Sequence, residues 1–313
     1  MVHIQAAVPP APLPEPEKID PAEILGLWRR GEIDLVVVLG PTASGKTRYA
    51  VALAKALSAE IISADSRQVY RGMTIGTGKD LEEYGDVPYH MIDIVPAGEK
   101  YTLYEYQRDF EKVYADIRSR GVLPILCGGT GLYIDAVVRA YQLPAVPPDE
   151  DLRRELEEAD IEELREAYAE RTEPDPEVMV SKRRLVRALE VLLQENVEKT
   201  SYAPKRAYFI GTVVSREERN ARIDRRLDER LAAGMIDEVK GLVESGVSYD
   251  DLIYYGLEYR YVAQYLMGLL DYNEMRSQLA TAIHQFAKRQ MTYFRGMESR
   301  GTVIHWTDPL VLV

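Results

Sequence analysis

Residues 40–47 read Gly40-Pro41-Thr42-Ala43-Ser44-Gly45-Lys46-Thr47. The spacing is G-x-x-x-x-G-K-T, and its chemistry is the cradling of a polyphosphate. Glycines let the backbone approach phosphate oxygens, and the amides of the turn point at them. The N-terminus of the following helix adds partial positive charge. Lys46 reaches the terminal phosphates, and the Thr47 hydroxyl suits a magnesium ion. The motif alone leaves open whether phosphoryl transfer follows. Two more residues lie where they could share the crevice. Asp65 follows the apolar run Glu60-Ile61-Ile62-Ser63, and Thr130 follows Gly128-Gly129. A carboxylate at that place can take a proton from a weak nucleophile, but a turn or N-cap aspartate reads the same way. Thr130 can reach a substrate amine or a phosphate oxygen, and it can equally cap the helix after it.

These residues need elements to hold them. Leu35-Val36-Val37-Val38-Leu39 predicts a strand leading into the phosphate loop, and Tyr49, Leu53 and Leu57 recur at helical spacing after it. Glu60–Ser63 and Met91–Ile94 predict a second and a third strand. Leu103–Arg120 predicts a helix, Val122–Cys127 a fourth strand, and a helix starts at Leu132. Strands alternating with helices imply a parallel sheet with right-handed crossovers, whose ligands sit at the carboxyl ends of the strands. The expected class is therefore α/β: a P-loop parallel sheet with flanking helices, a helical insertion and a helical C-terminal region. The expected division is an N-terminal arm over 1–32, an α/β core over 33–140, a helical insertion over 141–181 and a region over 182–313. The arm is proline-rich (Pro9, Pro10, Pro12, Pro14, Pro16) and expected to be partly disordered, with a short helix over Pro21–Arg30 capped by Asp20. The last region holds a basic helix over Lys182–Glu195, a returning strand over Arg206–Val214, and helices from Arg216 broken at Gly234, Gly246, Gly256 and Gly268.

The chain has 313 residues, of which 46% are hydrophobic and 29% charged, as in an ordinary globular protein. No apolar run approaches the ~20 residues that span a bilayer. The N-terminus lacks the pattern of a signal peptide, so a cytoplasmic protein with no membrane partner is expected. Its one cysteine, Cys127, lies in an apolar run and reads as a buried, inert thiol. The net charge of −12 argues against indiscriminate binding of nucleic acid. The charge is uneven, however. Residues 149–177 carry fourteen Asp and Glu against four Arg, while residues 182–230 carry thirteen Lys and Arg against eight Asp and Glu. A local basic surface remains open, beside the plainer reading of solvated helix faces.

Several segments, in order, resemble the tRNA dimethylallyltransferase (isopentenyl transferase) family. They are the phosphate loop, Ile62-Ser63-Ala64-Asp65-Ser66-Arg67-Gln68-Val69-Tyr70, Ile75-Gly76-Thr77-Gly78-Lys79 and Gly128-Gly129-Thr130-Gly131-Leu132-Tyr133. Arg187-Ala188-Leu189-Glu190-Val191 and Ala287-Lys288-Arg289-Gln290-Met291-Thr292-Tyr293-Phe294-Arg295 complete the set. The resemblance implies transfer of a dimethylallyl group from its diphosphate to the exocyclic N6 amine of the adenosine 3′ of the anticodon in tRNA, with release of diphosphate. It implies that Gly40, Pro41, Thr42, Ala43, Ser44, Gly45, Lys46 and Thr47 hold the diphosphate instead of ATP. Mg2+ would help to neutralise it, with Thr47 as a ligand. Asp65, Thr130 and Arg226 would be catalytic: Asp65 as base, Arg226 as a cation for the leaving group. Contacts to the tRNA anticodon stem-loop would come from Asp65, Ser66, Arg67, Gln68, Thr130, Arg153, Arg183, Arg184, Arg187, Gly256, Lys288, Arg289, Gln290 and Arg295. The plainer reading of Arg226 is a solvated helix charge. Phe286, Tyr293 and Phe294 read as core before they read as a base-stacking platform.

The chain departs from the family pattern in places. The insertion is short and acidic, Val180-Ser181-Lys182 replaces an Asn-Asp, Gly256-Leu257-Glu258 stands where Gly-Tyr is usual, and Tyr293 stands for a tryptophan. These changes bear on tRNA choice more than on the reaction. Three other readings stay open: prenyl transfer to free AMP, ADP or ATP, a P-loop small-molecule kinase, and a nucleotide-dependent RNA-binding module. The expected protein is a monomer.

Overall fold

The computed structural model describes residues 13–146, 149–194 and 199–311. Pro9, Pro10 and Pro12 of the expected arm lie outside the described residues. The chain forms two compact units, 1–139 with 204–313, and 140–203.

In the first unit α1 (Pro21–Arg29) begins at Asp20, whose carboxylate accepts from the Ala22 amide. It leads to β1 (Leu35–Leu39), α2 (Lys46–Leu57) and β2 (Glu60–Ser63). The two-residue strands β3 (Tyr70–Arg71), β4 (Tyr89–His90) and β5 (Val95–Pro96) follow, then α3 (Leu103–Ser119), β6 (Pro124–Gly128) and α4 (Gly131–Val138). Six strands form one sheet, β4 and β2 first and then β6 and β1. The returning strand β7 (Ala207–Thr212) and the last strand β8 (Ile304–Thr307) complete it beside β1. Every pairing in this sheet is parallel.

Alternation explains how β1 is buried on both faces. Leu35, Val37 and Leu39 enter one apolar cluster with Tyr106 and Phe110 of α3 and Ile134 and Val137 of α4. Val36 and Val38 enter another with Ile24 of α1 and Tyr49 and Leu53 of α2. The same switch separates Ile62 from Ile61 and Leu126 from Ile125, so the sheet carries helices on each side.

Met91–Ile94 is not a strand. The sheet pairing stops at His90, and Met91 (φ 65°) and Asp93 (φ 56°) turn left-handed, which ends an extended run. The Asp93 and Ile94 amides instead donate to the carbonyls of Gln68 and Val69. Trp306 and Ile304 are buried in β8, a strand with no counterpart in the sequence reading.

The second unit contains α5 (Glu150–Glu158), α6 (Ile161–Ala169), α7 (Pro176–Met179) and α8 (Lys182–Leu192). Its own small core joins Leu164 and Tyr168 to Leu185, Val186 and Leu189. The basic helix α8 is thus part of the helical insertion, which runs past the expected end at Ser181 to residue 203. The apolar stripe of α8 is what the acidic helices need to bury.

The chain returns through β7 to α9 (Arg216–Ala232), α10 (Met235–Glu244), α11 (Tyr249–Tyr255), α12 (Leu257–Leu266) and α13 (Tyr272–Ser299). Gly234, Gly246, Gly256 and Gly268 all adopt positive φ at the joints between these helices, as the sequence predicts.

Candidate active site

Lys46 and the loop before it sit at the carboxyl end of β1. Gly40 must be glycine here. A Cβ would lie 2.3 Å from Thr212 Oγ1 and 2.6 Å from Ser44 Oγ, which are themselves hydrogen-bonded at 2.7 Å. The buried Ser44 hydroxyl is therefore spent on bracing the loop against β7. Gly45 turns left-handed (φ 82°) and opens α2 without a side-chain cap, which leaves first-turn amides for a ligand. Lys46 Nζ lies 3.5 Å from the Pro41 carbonyl and curls over the loop. Burial lowers its pKa. Asp65 pulls the pKa back up, while Arg226 and Arg230 push it further down. A buried ammonium beside two guanidiniums is a place for a polyanion.

Asp65 follows β2 and Thr130 follows β6, so with the phosphate loop they stand at the ends of three neighbouring parallel strands. Asp65 Oδ1 accepts from the Arg67 amide at 2.8 Å, which fixes the turn and leaves the second oxygen for chemistry. Thr130 does not cap α4 with its side chain. Its Oγ1 accepts from the Ser66 amide at 3.1 Å, tying the β6 turn to the β2 turn. Cys127, between them in β6, is buried, and burial pushes its thiol up to about 12. It is an unreactive packing residue.

Arg226 reaches this mouth from α9. With Arg230, Glu258, Ile223, Leu227 and Ile283 it lines a small crevice whose other wall is Thr42 and Ala43. Its Nη2 donates to Asp80 Oδ2 at 2.9 Å. The loop that carries Gly78 and Asp80 is held by Glu238, a residue the sequence reading passed over. Its carboxylate accepts from the amides of Thr74 (2.9 Å), Ile75 (2.6 Å) and Gly76 (3.1 Å) and from the Tyr259 hydroxyl (2.8 Å).

Gln290 has a place other than the expected one on tRNA. It is buried, Thr42 N donates to its Oε1 at 2.8 Å, and its Nε2 donates to Gly129 O at 2.9 Å. Both ends of its amide are occupied by the two loops of the crevice, so it couples the phosphate loop to the Thr130 turn. Gln68 is likewise engaged, with Ser63 Oγ at 3.0 Å and Gly78 O at 3.3 Å.

The remaining basic residues divide. Lys288 and Arg289 are exposed on α13 of the first unit, and Arg183 and Arg184 are exposed on α8 of the second. Arg153 and Arg187 both bond the buried Glu190 carboxylate, at 2.7 and 2.8 Å. Both are tied to the buried carboxylate of the second unit, while their side chains stay 34% and 39% exposed. Arg295 pairs with Glu298 at 3.0 Å and lies over Trp306. Arg67 lies over the rings of Tyr254 and Tyr255, just before Gly256 at the α11–α12 joint. Phe294 is core, while the Tyr293 hydroxyl donates to Asp135 and its ring occupies the space a Cβ on Gly131 would fill.

A family model described as "IPP transferase" matches residues 68–297, and one described as "Isopentenyl transferase" matches residues 33–84. The chain is 52% identical over 290 residues to "tRNA dimethylallyltransferase 1" of Porphyromonas gingivalis, covering 88% of this chain and 94% of that protein. Among solved structures, the full-length tRNA isopentenylpyrophosphate transferase of Bacillus halodurans matches with a TM-score of 0.66 at 36% identity, over 88% of this chain and 90% of that one. The tRNA Δ(2)-isopentenylpyrophosphate transferase of Staphylococcus epidermidis matches with a TM-score of 0.62 at 32% identity, over 89% and 94%.

Proposed function

The chain belongs to the tRNA dimethylallyltransferase family, and from that premise we propose that its crevice carries a dimethylallyl group from dimethylallyl diphosphate to the N6 amine of the adenosine 3′ of the anticodon in tRNA. One observation supports the reading most. The phosphate loop, Asp65 and Thr130 stand at the ends of the adjacent strands β1, β2 and β6, and Gln290 and Thr130 bind their loops together.

In the reaction the allylic C–O bond breaks, the diphosphate leaves with the electron pair, and a bond forms between the allyl carbon and N6. An aromatic amine is a poor nucleophile, and Asp65 takes its proton as the bond forms. Charge grows on the diphosphate as it departs. The loop amides, Lys46 and Arg226 meet that charge in place, with no reorganisation at the moment of reaction. Thr130 accepts from Ser66 and keeps its own O–H to donate to a phosphate or base atom.

The adenine leaves the anticodon stack to reach the crevice. The curated and solved relatives above are tRNA enzymes, which favours tRNA over a free nucleotide as acceptor. Among the described residues there is no cluster of three His, Cys, Asp or Glu able to cage a metal. Mg2+ would be held by the Thr47 hydroxyl together with phosphate oxygens of the donor, and would supply positive charge against the departing diphosphate. No described helix is long and apolar enough to cross a membrane. A cytoplasmic monomer, working where tRNA is, completes the reading.

The donor side is tested by diphosphate release. Wild-type protein should release diphosphate from dimethylallyl diphosphate only when tRNA is present, and Lys46→Ala should nearly abolish that release. Robust hydrolysis of ATP, or phosphoryl transfer to a small acceptor, would overturn the proposal.

A further inference from the structure

Arg226 and Arg230 stand one turn apart on α9, so both leave the same face of the helix. They converge on Gly78. A Cβ there would lie 1.6 Å from Nη2 of Arg230 and 2.2 Å from Nη2 of Arg226. Two guanidiniums this close repel each other unless an anion lies against them. The anions at hand are shared thinly. Asp80 takes Nη2 of Arg226 at 2.9 Å, and Glu258 meets Nη1 of Arg230 at a long 3.4 Å. Gly76 O takes the same Nη1 at 3.2 Å.

Nη2 of Arg230 is buried and has no hydrogen-bond partner among the described residues. An unbonded charged donor away from water is costly and calls for a ligand. Burial lowers the pKa of Arg230, Arg226 lowers it further, and Glu258 works the other way. The side chain lines the crevice whose facing wall is Thr42 and Ala43 of the phosphate loop, and its charge is felt at Lys46.

We infer that Arg230 is a second diphosphate-binding arginine, held by Glu258 and aimed with Arg226 at the anion that the phosphate loop cradles. The inference rests on the reading that this loop holds the donor's diphosphate. Arg226, Arg230 and Lys46 then surround a ligand whose charge matches theirs. The bound anion adds the counter-charge that Asp80 and Glu258 supply only in part. Glu258 orients Arg230 and balances it when the crevice is empty.

Calorimetric titration with inorganic diphosphate tests this on the full chain. Arg230→Met should weaken binding about 10–100-fold, the worth of one charge-assisted hydrogen bond in a buried site. Because that variant leaves Glu258 unpaired, Arg230→Met with Glu258→Gln is measured beside it, with thermal melting of each. The double variant should regain the melting temperature and stay weak for diphosphate, and Arg230→Lys should recover part of the affinity. Wild-type affinity in the double variant would overturn the inference, because Arg230 would then be a partner of Glu258 alone. Lys46→Ala separates the two levels. If it loses diphosphate and the Arg230 variants do not, Arg230 is wrong and the donor site stands. If neither loses it, the donor site itself is wrong.

Discussion

At the scale of single residues, the chemistry turns on Asp65 and on what holds its neighbours. Asp65→Asn keeps the shape, and its amide oxygen can still accept from the Arg67 amide, but it cannot take a proton. Single-turnover transfer should fall by about 10²–10⁴-fold while tRNA affinity changes far less. A near-wild-type rate would remove Asp65 from the role of base. Gln290 makes a second residue-scale test, because it touches loop backbone at both ends. Gln290→Ala should loosen the phosphate loop and raise the KM for the donor, with tRNA binding little altered. Gln290→Glu should do more harm, since it sets a carboxylate oxygen against the Gly129 carbonyl. Should tRNA binding collapse instead, Gln290 would be a tRNA contact after all. The phosphate loop was legible from spacing alone. Asp65 and Thr130 stood out only as strand-end residues that could equally cap or turn, and their catalytic use came from the family resemblance. Gln290, Thr212 and Glu238 were not legible in their roles. Their partners lie far away in sequence, and a glutamine on a helix looks the same whether it faces solvent or two buried loops.

At the scale of elements, the strands do the positioning. β2 begins at Glu60, and Asp65 stands two residues past its other end. Arg120 at the end of α3 and His90 of β4 both bond the Glu60 carboxylate. The Arg120 guanidinium holds this carboxylate down to about 2, with burial opposing and His90 assisting. A depressed carboxylate stabilises the fold fully above the ordinary pKa of about 4.5 and loses that contribution as pH falls to about 2. Glu60→Gln should therefore lower the melting temperature at neutral pH and flatten its decline between those limits. An unchanged acid limb would show that the pair contributes nothing. The hydrophobic periods that mark β1, β2 and β6 are plain, because each residue is buried on one face or the other. Met91–Ile94 has the same apolar look, but Met91 and Asp93 turn left-handed, Asp93 pairs with Lys79, and the segment packs as a loop. β8 is four residues long, and its single alternation after Gly301 carries too little pattern to read.

At the scale of the whole molecule, a chain of net charge −12 has to bind a polyanion. Exposed Lys288 and Arg289 on α13, and Arg183 and Arg184 on α8, supply local charge. Each phosphate contact they make should steepen the salt dependence, log K falling by about 0.7–0.9 for each unit of log salt. Arg183→Ala with Arg184→Ala should flatten that slope and reduce prenylation of tRNA, whereas Arg153→Ala and Arg187→Ala should act first on stability by stranding Glu190. An equal loss of slope from both pairs would mean that the core arginines also reach the backbone of the RNA. The measurement that bears most directly on the reaction is the fate of labelled dimethylallyl diphosphate. The protein is given the donor, magnesium, and either unmodified tRNA or AMP, and the products are digested to nucleosides. Label should appear in tRNA as N6-dimethylallyladenosine at the adenosine 3′ of the anticodon, and not in AMP. Efficient labelling of AMP with none in tRNA would contradict the acceptor, the site and the use assigned to these arginines.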